Sequence, residues 1–331
     1  MPSQPPAFKA QQNKAAPRWR RTPPAIMPPT LGLWGLAVAW SRSADAFAMP
    51  AGIGQLLLGA MLLLFLYLGG YMVAKIVARP GVVADDLKTL PGRAGLAAFS
   101  MSIMLLAVAL IPYAETLAKA VLVIAIVAHL VFLAIIVANL LTGPVETRKV
   151  TPVFHLTFVG LIVSPLAALQ FGWTGYATLV FWLSLAAAVL IWAASALQFA
   201  REDVPPPLRP LLAIHLAPAS LLGTVALLLG YGTLGLAFGI LAIALMAALL
   251  VFGRWVTAAG FTPFWGAFTF PLAAFSSLMM ILAGAGYGEV FRILGGVALI
   301  GATFFIPWVA LKVYQLWIKG VLAEKTNSAT A

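Results

Sequence analysis

Two histidines lead the inventory of side chains able to do chemistry. His155 and His215 stand at equal spacing after a basic residue, Lys149 and Arg209, and each is followed by a leucine. Both sit in long uncharged stretches, where an ionisable side chain usually faces a bundle interior and serves function. An imidazole near neutral pH can carry a proton or meet an anion. At about 9 Å from the helix start, by helical rise, it can equally rest as a hydrogen-bonded group near a membrane boundary. His129 lies in a more uniformly apolar stretch and reads as a structural hydrogen-bond donor.

Other chemistries find little support. Cysteine is absent, which excludes disulfides, thiolate metal sites and cysteine nucleophiles. The carboxylate pairs Asp85-Asp86 and Glu202-Asp203 are flanked by basic residues and read as solvated loops. No metal triad, facing acid pair or nucleotide-binding glycine loop occurs, so the expectation is no enzyme, no metal and no cofactor. Small hydroxyls (Ser100, Ser102, Ser164, Thr269, Ser276, Ser277) can solvate a passing ion or bond back to the preceding helical turn.

The elements that must position these residues are membrane spans. Hydrophobic residues make up 63% of the chain and charged residues 9%, outside the soluble range. From Val150 to Ala200 there is no Asp, Glu, Lys or Arg. A bilayer explains such a stretch, because each spanning helix needs roughly 20 apolar residues to cross about 30 Å of hydrocarbon. Ten candidate spans lie near 23–41, 51–74, 94–113, 120–142, 151–170, 174–200, 210–229, 233–253, 263–284 and 293–311. The predicted fold class is therefore an all-α membrane protein.

The net charge of +11 at pH 7 would suggest nucleic acid in a soluble protein. Its placement gives another reason. With both termini cytoplasmic, only Arg42, Lys119 and Arg292 of the 20 Lys and Arg fall outside, the positive-inside bias of a membrane protein. No nucleic-acid partner is expected. Residues 1–22 read as a disordered basic cytoplasmic tail, residues 23–319 as the transmembrane domain, and 320–331 as a cytoplasmic tail.

The spans alternate in character. Odd spans follow a cationic residue closely and carry small residues or proline, while even spans are longer and richer in Leu, Ile and Val. Starts near Pro91, Thr151, Pro210 and Pro263 recur at similar spacing, which suggests five stacked helical hairpins. Pro28, Pro29, Pro165, Pro218 and Pro271 lie in odd spans. An internal proline removes a helical hydrogen bond and bends the helix, and freed carbonyls must be satisfied by protein or water. Odd helices are accordingly expected inside, around an axis, with even helices facing lipid. Phe270 precedes Pro271 on such a helix, so its ring either packs in the bundle or occludes a passage sterically and by dewetting.

Two segments resemble a known family. Ala213-Ile214-His215-Leu216-Ala217-Pro218-Ala219 is similar to a Gly-Ile-x-Leu-Ala-Pro-Ala signature, and Phe264-Trp265-Gly266-Ala267-Phe268-Thr269-Phe270 to a Trp-x-Phe-Ser-Phe-Gly segment. The family is that of the tellurite-resistance protein TehA, the fungal dicarboxylate and sulfite transporters, and the slow anion channels of plant guard cells. The resemblance implies ten helices as five hairpins around a quasi-five-fold axis, one pore per subunit, and a homotrimer. It also implies inner odd helices lining the pore and a phenylalanine gate, which the alignment puts at Phe270. Pro271 stands where a glycine often follows the gate. Met101 and Thr157 stand where the third and fifth helices are expected to carry proline.

The functional expectation is an anion channel, or channel-like exporter, for small anions through a neutral pore, in a bacterial inner membrane. The alternative is a secondary carrier or exporter for dicarboxylate, sulfite or tellurite-type oxyanions that uses His155 or His215. Pore-lining or kink candidates are Pro271, Pro218, Pro165, His215, His155, Thr269 and Ser100. Partners are small anions and membrane lipid.

Overall fold

The computed structural model describes residues 9, 16–143 and 148–331, and every regular element among these is helical. Of the basic arm expected over 1–22, residues 1–8 and 10–15 lie outside the described ones. The long elements are α1 (Met27–Phe47), α2 (Ala51–Ala78), α3 (Leu90–Leu110), α4 (Glu115–Thr142) and α5 (His155–Phe171). They continue with α6 (Thr174–Phe199), α7 (Pro206–Leu228), α8 (Gly232–Val251), α9 (Pro263–Gly284) and α10 (Glu289–Ile318).

Eight of these, α2 to α4 and α6 to α10, are long and apolar enough to cross a membrane. Helix α1 carries Arg42 and Asp45 in its second half, and α5 is shorter. Burial divides the helices by parity. The most apolar stretches of α3, α7 and α9 are 72%, 78% and 72% buried, against 28%, 28%, 33%, 17% and 39% for α2, α4, α6, α8 and α10. Leu63, Leu130, Leu190 and Ile300 are exposed on the outer helices. An apolar surface of that extent belongs in lipid, so the chain is a multi-pass membrane protein.

The inner helices are not wound uniformly. In α7 a 3-10 stretch over Pro206–His215 gives way to an α-helix at Leu216. In α9 the change comes between Pro263–Phe268 and Thr269. The junction prolines are the cause: Pro218 and Pro271 have no N–H for the carbonyls of Ile214 and Ala267, and the turn before them tightens to i→i+3 bonding. In α5, Thr157 stands within a π-helical turn, His155–Val159. Proline is not confined to odd spans, because Pro307 lies inside α10.

A polar latch closes the basic end of the bundle. Helix α2 runs past the expected boundary to include Lys75, whose ammonium is fully buried and donates to Asp86 Oδ2 at 2.8 Å, the Thr22 carbonyl at 3.1 Å and Ser328 Oγ at 3.2 Å. Asp86 Oδ1 also accepts from Ser328 Oγ (3.1 Å) and the Ala329 N–H (2.8 Å). Asp86 is thus no solvated loop residue, and the C-terminal residues pack into the protein. Trp317, near the end of α10, is buried and donates to Thr22 Oγ1 at 3.3 Å.

Candidate functional site

The inner helices converge on two small cavities stacked along one axis. The first, about 20 Å³, is lined by Pro28 and Leu31 of α1, Ala98 of α3, Leu156 of α5, Ile214 and Ala217 of α7, and Gly266, Ala267, Phe270 and Pro271 of α9. The second, about 30 Å³, lies toward the basic end and includes Pro28, Ala94, Leu156, Leu211, Ile214 and Phe264. Each has room for about one or two waters. Between them stand Pro28, Leu156, Ile214 and Ala267, which border both. Every lining side chain named here is apolar, so a hydrated ion finds neither space nor a polar partner.

Phe270 is held from behind by α1. A methyl group at Gly35 would stand 3.0 Å from its Cδ2 and 3.3 Å from its Cε2. One turn away, Gly32 allows Thr269 to approach: its hydroxyl lies 2.7 Å from the Gly266 carbonyl and 3.2 Å from the Pro28 carbonyl. A methyl group at Gly32 would fall 2.2 Å from that oxygen. Two glycines on α1 therefore set how closely α9 packs and where the ring rests. Phe268 points elsewhere, against Trp265 and Phe305.

The other candidates lie off the axial cavities. Thr269 is buried against α1. Ser100 is 2.8 Å from Nδ1 of His129, whose Nε2 is 3.0 Å from the Thr157 carbonyl. A carbonyl only accepts, so in the neutral ring Nε2 carries the proton and Nδ1 accepts from the Ser100 hydroxyl. His129 thereby ties α3, α4 and the π-turn of α5 together. Pro165 follows Ser164, whose hydroxyl pairs with Tyr176 at 2.7 Å. Pro218 is buried in α7 at the winding change, with Ala217 beside it on the cavity.

His155 and His215 face each other across the α5–α7 seam, Nε2 to Nδ1 at 2.9 Å, with rings 5.0 Å apart and nearly perpendicular. Their pairing was not legible, because it depends on how α5 and α7 are rotated against each other. Their neighbours Leu156 and Ile214 point into the axis, and sequence reasoning missed both. The missed signal was adjacency, since a helical residue one step from an off-axis side chain turns by about 100°.

At the mouth near this seam, Arg209 bonds the Val204 carbonyl at 2.9 Å and Asp203 at 3.1 Å, and its guanidinium lies 4.1 Å from the Trp255 ring centre. Lys149 pairs with Glu202. Charge at the mouth is thus largely neutralised in pairs.

No curated protein matches the chain closely enough to count as a relative. The model of one family, described as voltage-dependent anion channel, matches residues 21–314 and so takes in every inner helix that lines the axis. With buried odd helices meeting on a neutral, apolar axis, and with that match across most of its length, the chain belongs to the voltage-dependent anion channel family.

Proposed function

We propose that α1 and α5 cross the bilayer as well, giving ten spans as five hairpins about a quasi-five-fold axis, and that this axis is an anion pathway closed by Phe270. Both termini lie in the cytoplasm of a bacterial inner-membrane protein, and the assembly is a homotrimer with one pathway per subunit. Small anions such as chloride are the passengers. The observation that carries this reading is the cavity bordered by Phe270, to which each odd helix contributes a residue. An apolar plug in a neutral conduit blocks by size and dewetting, and its withdrawal leaves weak binding, which a conductor needs.

Charge supports the sign of the passenger. The chain carries +11 overall, and a net positive field raises the local concentration of anions even where the cations at the mouth are paired. The alternative, a carrier for dicarboxylate, sulfite or tellurite-type oxyanions, would draw on His155 and His215. Their position off the axial cavities favours the channel. Reversal potentials under imposed gradients test the choice: a channel follows the chloride equilibrium potential, and a reversal that moves with the proton gradient supports the carrier.

A further inference from the structure

Behind the axial constriction, on the lipid side of the α5–α7 seam, buried hydrogen-bonding atoms gather without partners. Thr151 Oγ1, His155 Nδ1, Trp192 Nε1 and Ser195 Oγ have none. They share one neighbourhood: the His155 ring lies 5.6 Å from the Trp192 ring and 5.0 Å from His215. Ser195 follows Trp192 by about one turn of α6. His155 is 2% exposed. Buried polar groups are ordinarily satisfied, so four unsatisfied atoms at one seam mark a place built for something polar.

Two joined cavities give that ligand its shape. One, about 180 Å³, includes Lys149, Thr151, Ser195, Gln198 and His215. The other, about 790 Å³, is an apolar groove between α6, α7 and α8, with Phe199, Leu216, Leu249, Phe252 and Trp255 among its walls. Ser195, Phe199, Leu212 and His215 border both. The larger volume is in the range of small-molecule sites.

We propose that this seam binds an amphipathic carboxylic acid, its carboxylate among Ser195, Trp192 and His215 and its hydrocarbon body in the groove. The head is assigned by donor chemistry: an indole N–H donates only, and a hydroxyl donates readily to a carboxylate, which only accepts. The body is assigned by the apolar walls. Binding stands independently of the conduction reading, whereas any effect on current rests on it. Such an effect has a short route, because Leu156 and Ile214 on the axis adjoin His155 and His215.

Equilibrium binding of radiolabelled laurate to the full-length protein in phosphatidylcholine nanodiscs tests this without any current measurement. Expected is saturable binding above protein-free discs, weakened roughly tenfold by Ser195→Ala and by Trp192→Phe, the worth of one charge-assisted hydrogen bond. Dodecanol competes poorly if the head is recognised. Equal competition by dodecanol, wild-type affinity in both variants, or no saturable binding overturns the proposal. Equal competition by phosphatidylglycerol overturns it in favour of a phospholipid. Both substitutions are small, and a wild-type elution profile establishes that each variant is folded.

Discussion

Gly35 and Phe270 are matched across the α1–α9 interface: a single added methyl group would press on the ring at 3.0 Å. The placement of the Phe270 ring is thus set by a residue on another helix that has no side chain. The same face of α1 holds Gly32 against Thr269, so α1 acts as a template for α9.

Gly35→Ala should destabilise the folded protein by about 1–3 kcal/mol, the usual cost of overpacking. Removing the ring relieves much of that pressure, although the Ala273 Cβ, also at 3.0 Å, remains. Thermal unfolding in detergent should therefore show a smaller loss for Gly35→Ala in a Phe270→Ala background than in wild type. Equal losses would mean that the contact with the ring carries no strain.

Lys75→Met should cost about 3–5 kcal/mol, because it leaves Asp86 buried without its cation. The paired change Lys75→Met with Asp86→Leu should recover a large part of that loss in the same unfolding assay. A single variant as stable as wild type would contradict the latch.

Deleting residues 326–331 removes the Ser328 hydroxyl and the Ala329 N–H from Asp86. The truncated chain should unfold at lower temperature, with a loss of about 1–3 kcal/mol per bond left unmade. An unchanged midpoint would show that the C-terminal residues only rest on the surface.

His129→Leu should destabilise by at least 1 kcal/mol, since the Thr157 carbonyl and the Ser100 hydroxyl both lose a buried partner. Ser100→Ala leaves only His129 Nδ1 unpaired and keeps the bond from Nε2 to the Thr157 carbonyl, so it should cost less than His129→Leu. Chemical unfolding of the two variants side by side checks the order.

Much of this architecture was legible in the sequence, for physical reasons. Uncharged stretches of bilayer length have one economical explanation, and the alternation of short, small-residue spans with longer Leu-, Ile- and Val-rich ones separated buried helices from lipid-facing ones, despite Pro307 in α10. What the sequence hid were relationships that depend on helix rotation. Lys75 looks like one more basic residue on the positive side, and only the fold brings Asp86 and Ser328 to it. The π-turn around Thr157 was hidden too, because its support comes from His129 on the preceding helix. Phe270 could be picked out by its proline neighbour and by resemblance, whereas Gly35 behind it and Leu156 and Ile214 below it could not. A glycine or leucine in a membrane span carries no local mark of what it faces.

The most direct test of the account is planar-bilayer recording of purified protein under a chloride gradient, comparing wild type with Phe270→Ala. Wild type should pass little current. The variant should pass a large, voltage-independent current that reverses near the chloride equilibrium potential. Current in Phe270→Ala indistinguishable from wild type, or reversal at the cation potential, would contradict the account.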